Sequence, residues 1–231
     1  MRENSASGPA PLIGVETWIF DLDNTLYPVT RELLADIDRH IGAFVADFLG
    51  VDLEEARRIQ KGYFREYGLT LKGLMVRHGL DPARYFDHMN REDLYDMRPA
   101  PELARVIAKL GGRRFVYTNS SARHTEMVLE RLGMVGLFEA VFDIAAADYI
   151  PKPFPEALDV LCRQFGIEPA RACMVDDIAR NLAPADALGM TTVWLETDAE
   201  WAKGDPPGPH VHHTTRDLLA LLRGVLDARR A

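Results

Sequence analysis

From about residue 100 to the end, short apolar runs alternate with stretches of helical period, and this alternation constrains the fold more than any other feature. Helix Glu102–Leu110 leads to the strand RFVYTNS, then to helix Arg123–Leu132 and the strand EAVFDI. Helix Pro155–Phe165 follows, then the strand ACMVDD, helix Ala179–Leu188, the strand TTVWLE and a final helix from Thr215. Strands that alternate with helices require crossover connections, which are right-handed and give a parallel sheet covered on both faces. An earlier apolar run, ETWIF, supplies a first buried strand.

Between that first strand and the alternating part the character changes. RELLADIDRHIGAFVADFLG ends on Gly50, DLEEARRIQKGYFREYG ends on Gly68, and two shorter helical pieces follow. Apolar residues recur there every three or four positions, without strand-like alternation. The expected organisation is an N-terminal tail over residues 1–13, a Rossmann-like core over 14–27 and 98–231, and a helical cap over 28–97. The fold class is therefore α/β with an inserted helical domain.

Composition narrows the partners. A net charge of −8 and a pI near 5.4 offer nothing to a nucleic-acid backbone. No basic start precedes an apolar segment at the N-terminus, and no apolar run reaches spanning length, so a cytoplasmic protein without a membrane partner is expected. A monomer or homodimer is expected. The two cysteines, Cys162 and Cys173, lie in apolar segments and read as buried small hydrophobes.

Chemistry collects at the carboxyl ends of the strands, where open parallel sheets bind ligands. The first strand ends in Asp21-Leu22-Asp23, and FVY runs into Thr118-Asn119-Ser120 at a helix start, where free N–H groups favour an anion. YIPKPFPE holds Lys152 between two prolines, and CMV ends in Asp176-Asp177. Two aspartates two positions apart at the end of a buried strand repel one another unless water or a cation takes up their field.

In this order, DLDNT, YTNS, PKP and VDD resemble the four motifs of the haloacid dehalogenase-like hydrolases. The resemblance runs from the first strand to TTVWL, and it implies a Rossmann-like core with a cap between the first two motifs. FDLDNTLYP with the cap segment YFREYGLTLKGL is similar to the capped pyrimidine 5′-nucleotidases. The resemblance implies that Asp21 is the nucleophile attacking phosphorus. It makes Asp23 first the acid for the leaving alkoxide and then the base for water, a task that calls for a raised pKa. Mg²⁺ would be held by Asp21, Asp176 and the main-chain carbonyl of Asp23. Lys152, the Thr118 hydroxyl and the Asn119 and Ser120 amides would hold the phosphoryl oxygens. Asp177 reads as orienting Lys152 or capping the next helix, and Asn181 as a supporting residue.

The implied activity is hydrolysis of a small phosphomonoester, first a pyrimidine nucleoside 5′-monophosphate, with phosphoglycolate or a sugar phosphate as the alternative. Candidate readers of the leaving group are Tyr27, Tyr63, Phe64, Tyr67 and Lys72. A receiver-like phospho-aspartate switch is a rival of a different class, but receivers put the acid pair and the phosphoacceptor on different strands and have no helical insertion. A dehalogenase needs no second acid, so Asp23 speaks against it. His210, His212 and His213, in HVHH, read as a solvated loop, and His40, His78, His88 and His124 receive no role.

Overall fold

A computed structural model describes residues 12–89, 97–197 and 207–230. Six parallel strands form one sheet: β1 (Thr17–Phe20), β2 (Arg113–Tyr117), β3 (Ala140–Phe142), β4 (Ala172–Asp176), β5 (Thr191–Leu195) and β6 (His213–Thr215). Their spatial order is β3-β2-β1-β4-β5-β6. The chain winds outward from β1 in one direction and then returns to build the other half, so the topological switch point lies between β1 and β4. An open α/β sheet binds ligands at the carboxyl end of such a point.

The unbroken apolar character of the strands follows from burial on both faces. Along β1, Trp18 and Phe20 join the cluster with Val116, Cys173, Val175 and Val193, whereas Ile19 joins Phe115, Tyr117 and Met174 on the opposite face. The first face is covered by α5 (Pro101–Lys109), α6 (Ala122–Leu132) and α9 (Leu218–Ala228). The second is covered by α7 (Pro155–Phe165) and α8 (Ala183–Ala187). Both cysteines are buried and unpaired, and burial pushes the Cys162 thiol up to about 11.

Among the described residues, four helices lie between β1 and α5: α1 (Arg31–Leu49), α2 (Leu53–Tyr67), α3 (Thr70–His78) and α4 (Pro82–Met89). Thr30 caps α1 by accepting from Leu33 N, and Asp52 caps α2 by accepting from Glu55 N. Gly50, Gly68 and Gly79 end three of them in the left-handed region. These helices have a core of their own around Phe44, Val45, Leu74 and Tyr85. Tyr149, from the loop between β3 and α7, packs against that core and ties it to the segment that carries Lys152.

Three expectations need correction. The last strand, β6, was not anticipated, and the final helix starts at Leu218 instead of Thr215. Its edge position and three-residue length leave too little apolar signal to read. Ala179–Leu188 is a 3₁₀ turn over Ala179–Leu182 followed by the short α8, since Pro184 fits only the first turn of a helix. Of the expected tail only Leu12 and Ile13 are described, and Leu12 is fully buried in the core. Asn90–Asp96 of the expected cap lie outside the described residues.

Gly112, entering β2, shows how tightly the strand start is built. Its φ is +87°, and a Cβ there would stand 2.0 Å from the Glu16 carbonyl oxygen. Arg113 N donates to that same carbonyl at 2.8 Å, so the neighbour cannot withdraw. Gly112→Ala is expected to destabilise the protein by about 3 kcal/mol, read as a drop in the urea midpoint at unchanged slope.

Candidate active site

Register brings the acidic groups together. Phe20 pairs with Val116 on one side and Val175 on the other, so the next residue, Asp21, emerges beside Tyr117 and Asp176. Asp21 N donates to Val175 O at 2.9 Å and fixes that alignment. Asp21, Asp176 and Asp177 each place an oxygen within 4.8 Å of the others, and all three side chains are buried. Like charges so close and so dry need compensation.

Lys152 supplies part of it. Its Nζ lies 2.5 Å from Asp21 Oδ1, 2.7 Å from Asp176 Oδ2 and 3.1 Å from the Tyr117 carbonyl. Burial works against the ammonium, but the facing Asp176 and Asp21 carboxylates outweigh it and hold the lysine firmly charged. Burial dominates at Asp21 and pushes its pKa well up, opposed by Lys152 and reinforced by Asp176 and Asp177. Asn119 locks the loop behind the lysine: its Oδ1 accepts from Lys152 N at 2.8 Å and its Nδ2 donates to Lys152 O at 3.4 Å.

The other Asp176 oxygen, Oδ1, accepts from Ile178 N and from Asn181 Nδ2, both at 2.9 Å. Asp21 Oδ2 is different: it is buried and accepts no hydrogen bond. An orphaned carboxylate oxygen is costly unless something else binds it. Three aspartates with oxygens in range of one another, and an orphaned oxygen on Asp21, match the all-oxygen donor set of a divalent cation. Asp177, which its sequence position suggests for orienting or capping, thus stands in this carboxylate cluster, where it also accepts from Asn24 Nδ2 at 2.7 Å.

Asp23 faces elsewhere. Its Oδ2 accepts from Ser120 Oγ at 2.6 Å, and its Oδ1 accepts from Tyr27 OH at 2.5 Å and lies 2.9 Å from His124 Nε2. Burial alone would raise its pKa, but His124, Ser120 and Tyr27 together hold it well below the ordinary carboxylate range. The expectation of a raised value is therefore overturned: the side chain turns away from the other acids toward three donors, which favour the ionised form.

The phosphate cradle also differs in detail. Thr118 Oγ1 accepts from Ser120 N at 3.0 Å, so the Ser120 amide is already engaged, while the Thr118 hydroxyl retains its own hydrogen to donate. Thr118, Asn119 and Ser120 all line a cleft of about 360 Å³ together with Asp21, Asp23 and Lys152.

The sequence model of the haloacid dehalogenase-like hydrolases matches residues 15–189. The chain belongs to that family. The chain is 26% identical over 200 residues to phosphate metabolism protein 8 of Saccharomyces cerevisiae, covering 79% of this chain and 62% of the yeast protein. It thus spans less than two thirds of that relative. It is 28% identical over 186 residues to the N-acetylmuramic acid 6-phosphate phosphatase of Pseudomonas aeruginosa, covering 75% and 78% of the two chains. Its fold is similar to the crystal structure of a phosphatase of the same family from Thermococcus onnurineus, with a TM-score of 0.64 at 19% identity over 94% and 100% of the chains.

The expected readers of the leaving group divide between the cleft and other surroundings. Of the candidate readers, Phe64 lines the cleft, whereas Tyr27, Tyr63, Tyr67 and Lys72 are not among its described lining residues. Tyr27 is buried behind Asp23. Tyr63 lies against Gly73 of α3 and bonds His78 Nε2 at 2.6 Å. Tyr67 is half-buried and hydrogen-bonds Glu66 and Arg77. Helical period shows which residues share a face; it does not show which face meets the core.

The wall opposite the aspartates is instead apolar, built from Val29, Ile37 and Ile41, Phe64, and Tyr85 and Phe86. Among the described lining residues that helical wall carries no charged side chain. His124, Asn24 and Trp194 were missed. Asn24 has φ +63°, donates to Asp177 and accepts from Val29 N, a turn role that the Asn of DLDNT signals. Trp194 Nε1 donates to Asp177 O at 2.8 Å from β5, a contact no local pattern announces.

HVHH is not a solvated loop. His213 is buried in β6, His210 Nε2 lies 2.9 Å from Ala179 O, and His212 pairs with Asp186 at 3.1 Å while its Nδ1 accepts from Thr192 N. The segment fastens the loop after Asp177 to the sheet edge. Among the described residues no helix is long and apolar enough to cross a membrane.

Proposed function

We propose that this hydrolase cleaves phosphomonoesters through a phosphoaspartyl intermediate on Asp21. The observation that carries the reading is the buried constellation of Asp21, Asp176, Asp177 and Lys152 at the switch point, with one Asp21 oxygen unpartnered. Asp21 attacks phosphorus, the P–O bond to the leaving group breaks, and the alkoxide takes a proton from Asp23. Water then attacks the same phosphorus and gives its proton to Asp23, the P–O bond to Asp21 breaks, and inorganic phosphate leaves.

Asp23 is held ionised at rest, which suits the second step. A phosphoryl dianion entering the cleft raises its proton affinity for the first step, as a like charge does. Lys152 and the Thr118 hydroxyl face the transferring group and stabilise its oxygens. Asp21, Asp176 and Asp177 would hold Mg²⁺, with the Asp23 carbonyl as a further candidate. When bound, the cation neutralises the carboxylates and draws charge from a phosphoryl oxygen. A chelator is expected to stop phosphate release at least about a hundredfold and Mg²⁺ to restore it, with Ca²⁺ a poor substitute because its coordination is looser. Full turnover in excess chelator contradicts the assignment.

For the leaving group we favour a pyrimidine nucleoside 5′-monophosphate. The apolar, partly aromatic wall suits the face of a flat ring. The helical wall itself offers no charged side chain to the carboxylate of phosphoglycolate. Phosphate release from UMP, CMP, phosphoglycolate and sugar phosphates, compared as kcat/KM, tests this. Equal or better turnover of phosphoglycolate overturns the nucleotide and leaves the phosphatase standing. The receiver-like alternative loses ground, because Asp21 and Asp23 follow one strand and four helices are inserted after it.

A further inference from the structure

A second cavity, of about 580 Å³, adjoins the cleft from the side of the helical insertion. The two share Leu34, Ile37 and Ile41 of α1, Phe64 of α2 and Ile178 of the core. The remaining lining of the second cavity is mostly polar, with Arg31, Asp38, Gln60, Lys61 and Thr70. Space therefore continues past the apolar wall, and it ends on hydrogen-bonding groups.

Gln60 is the informative one, because it is only 3% exposed. Its Nε2 donates to Asp38 Oδ1 at 2.7 Å and to Asp38 O at 3.3 Å, which settles which end of the amide is nitrogen. Both N–H groups are thus used inside the protein. Among the described residues Oε1 accepts no hydrogen bond; it lies near Gly42 of α1, and Gln60 lines the cavity. A buried amide whose acceptor alone is left over asks for a donor. Lys61 stands next to it, its ammonium bonded to Asp38 Oδ1 while lining the same cavity. A group that presents N–H beside C=O answers both, with the N–H to Gln60 Oε1 and the C=O to Lys61.

We infer that the second cavity is the subsite for the far end of the leaving group, and that it takes a heterocycle carrying a ring N–H next to a carbonyl. This rests on the nucleoside monophosphate reading above and specifies it. The sugar would lie along the apolar wall and the base would reach past Phe64. A uracil ring fits the pattern through its N3–H.

The test compares UMP, 3-methyl-UMP and ribose 5-phosphate, first with the wild-type enzyme and then with Gln60→Met. Methylation removes the donor and leaves the sugar and phosphate unaltered. The wild type is expected to lose about tenfold in kcat/KM on 3-methyl-UMP, mainly through KM, as for one buried hydrogen bond. In Gln60→Met the two nucleotides should converge to within about twofold, because the acceptor is gone. The absence of a methyl penalty in the wild type, or a penalty that persists in Gln60→Met, overturns the subsite even if UMP remains the best substrate. The wild-type comparison alone decides the matter should Gln60→Met not fold. Hydrolysis of ribose 5-phosphate at or above the UMP rate overturns the nucleotide reading itself, and release from none of the three overturns the phosphatase.

Discussion

Asp21→Asn is expected to lower phosphate release from any phosphomonoester by at least about a thousandfold while the protein stays folded. An amide can neither attack phosphorus nor bind a cation as a carboxylate does. It does keep the shape of Asp21 and an oxygen for Lys152 Nζ, which stands 2.5 Å away in the wild type. Removing one of three clustered carboxylates also relieves repulsion, which Asp176 and Asp177 both exert on Asp21. The melting temperature should therefore hold or rise slightly, and that separates loss of chemistry from loss of fold. A folded variant with wild-type phosphate release would exclude Asp21 as nucleophile.

Lys152→Met should do the opposite and damage both. The ammonium is buried against Asp21 and Asp176, with the Tyr117 carbonyl completing its shell. Removing one partner of a buried ion pair leaves uncompensated charge and costs about 3–5 kcal/mol. For a chain of this size that is a fall in melting temperature of about 10 °C. Turnover should fall with it, since in the proposed mechanism the same ammonium compensates the charge of Asp21 and Asp176 beside the reacting phosphorus. Added Mg²⁺ is expected to return part of the lost stability, because a divalent cation compensates the same carboxylates. Thermal melts of wild type and variant, each with and without Mg²⁺, check both statements. An unchanged melting temperature would mean that the pair contributes nothing to the fold.

Which features were legible in the sequence, and which were not, has a physical basis. The alternation of apolar runs and helices determined a parallel α/β sheet, because strands buried on both faces must be apolar throughout, as Trp18, Ile19 and Phe20 are. The inserted helices were equally plain, since the glycines ending α1 and α2 and the caps at Thr30 and Asp52 are local signals. The positions of Asp21, Thr118, Lys152 and Asp176 at strand ends or in the facing loop were readable too, because parallel topology brings every strand's carboxyl end to one edge.

Orientation was not readable. Asp21 and Asp23 are two residues apart, yet one faces Lys152 and the other faces His124, Ser120 and Tyr27. That divergence gives them opposite electrostatic environments, and it arises only once β2 and α6 are packed beside β1. The same holds for the insertion, where Phe64 rather than Tyr63 or Tyr67 reaches the cleft because of how α2 docks on the core. The sequence by itself determined most of the elements, β6 excepted, and the edge at which chemistry gathers. Tertiary structure decided which carboxylate is paired, which oxygen is left orphaned and which cap side chains line the cleft, because these depend on packing between distant segments, as Lys152 reaches Asp21 across 131 residues and His124 reaches Asp23 across 101.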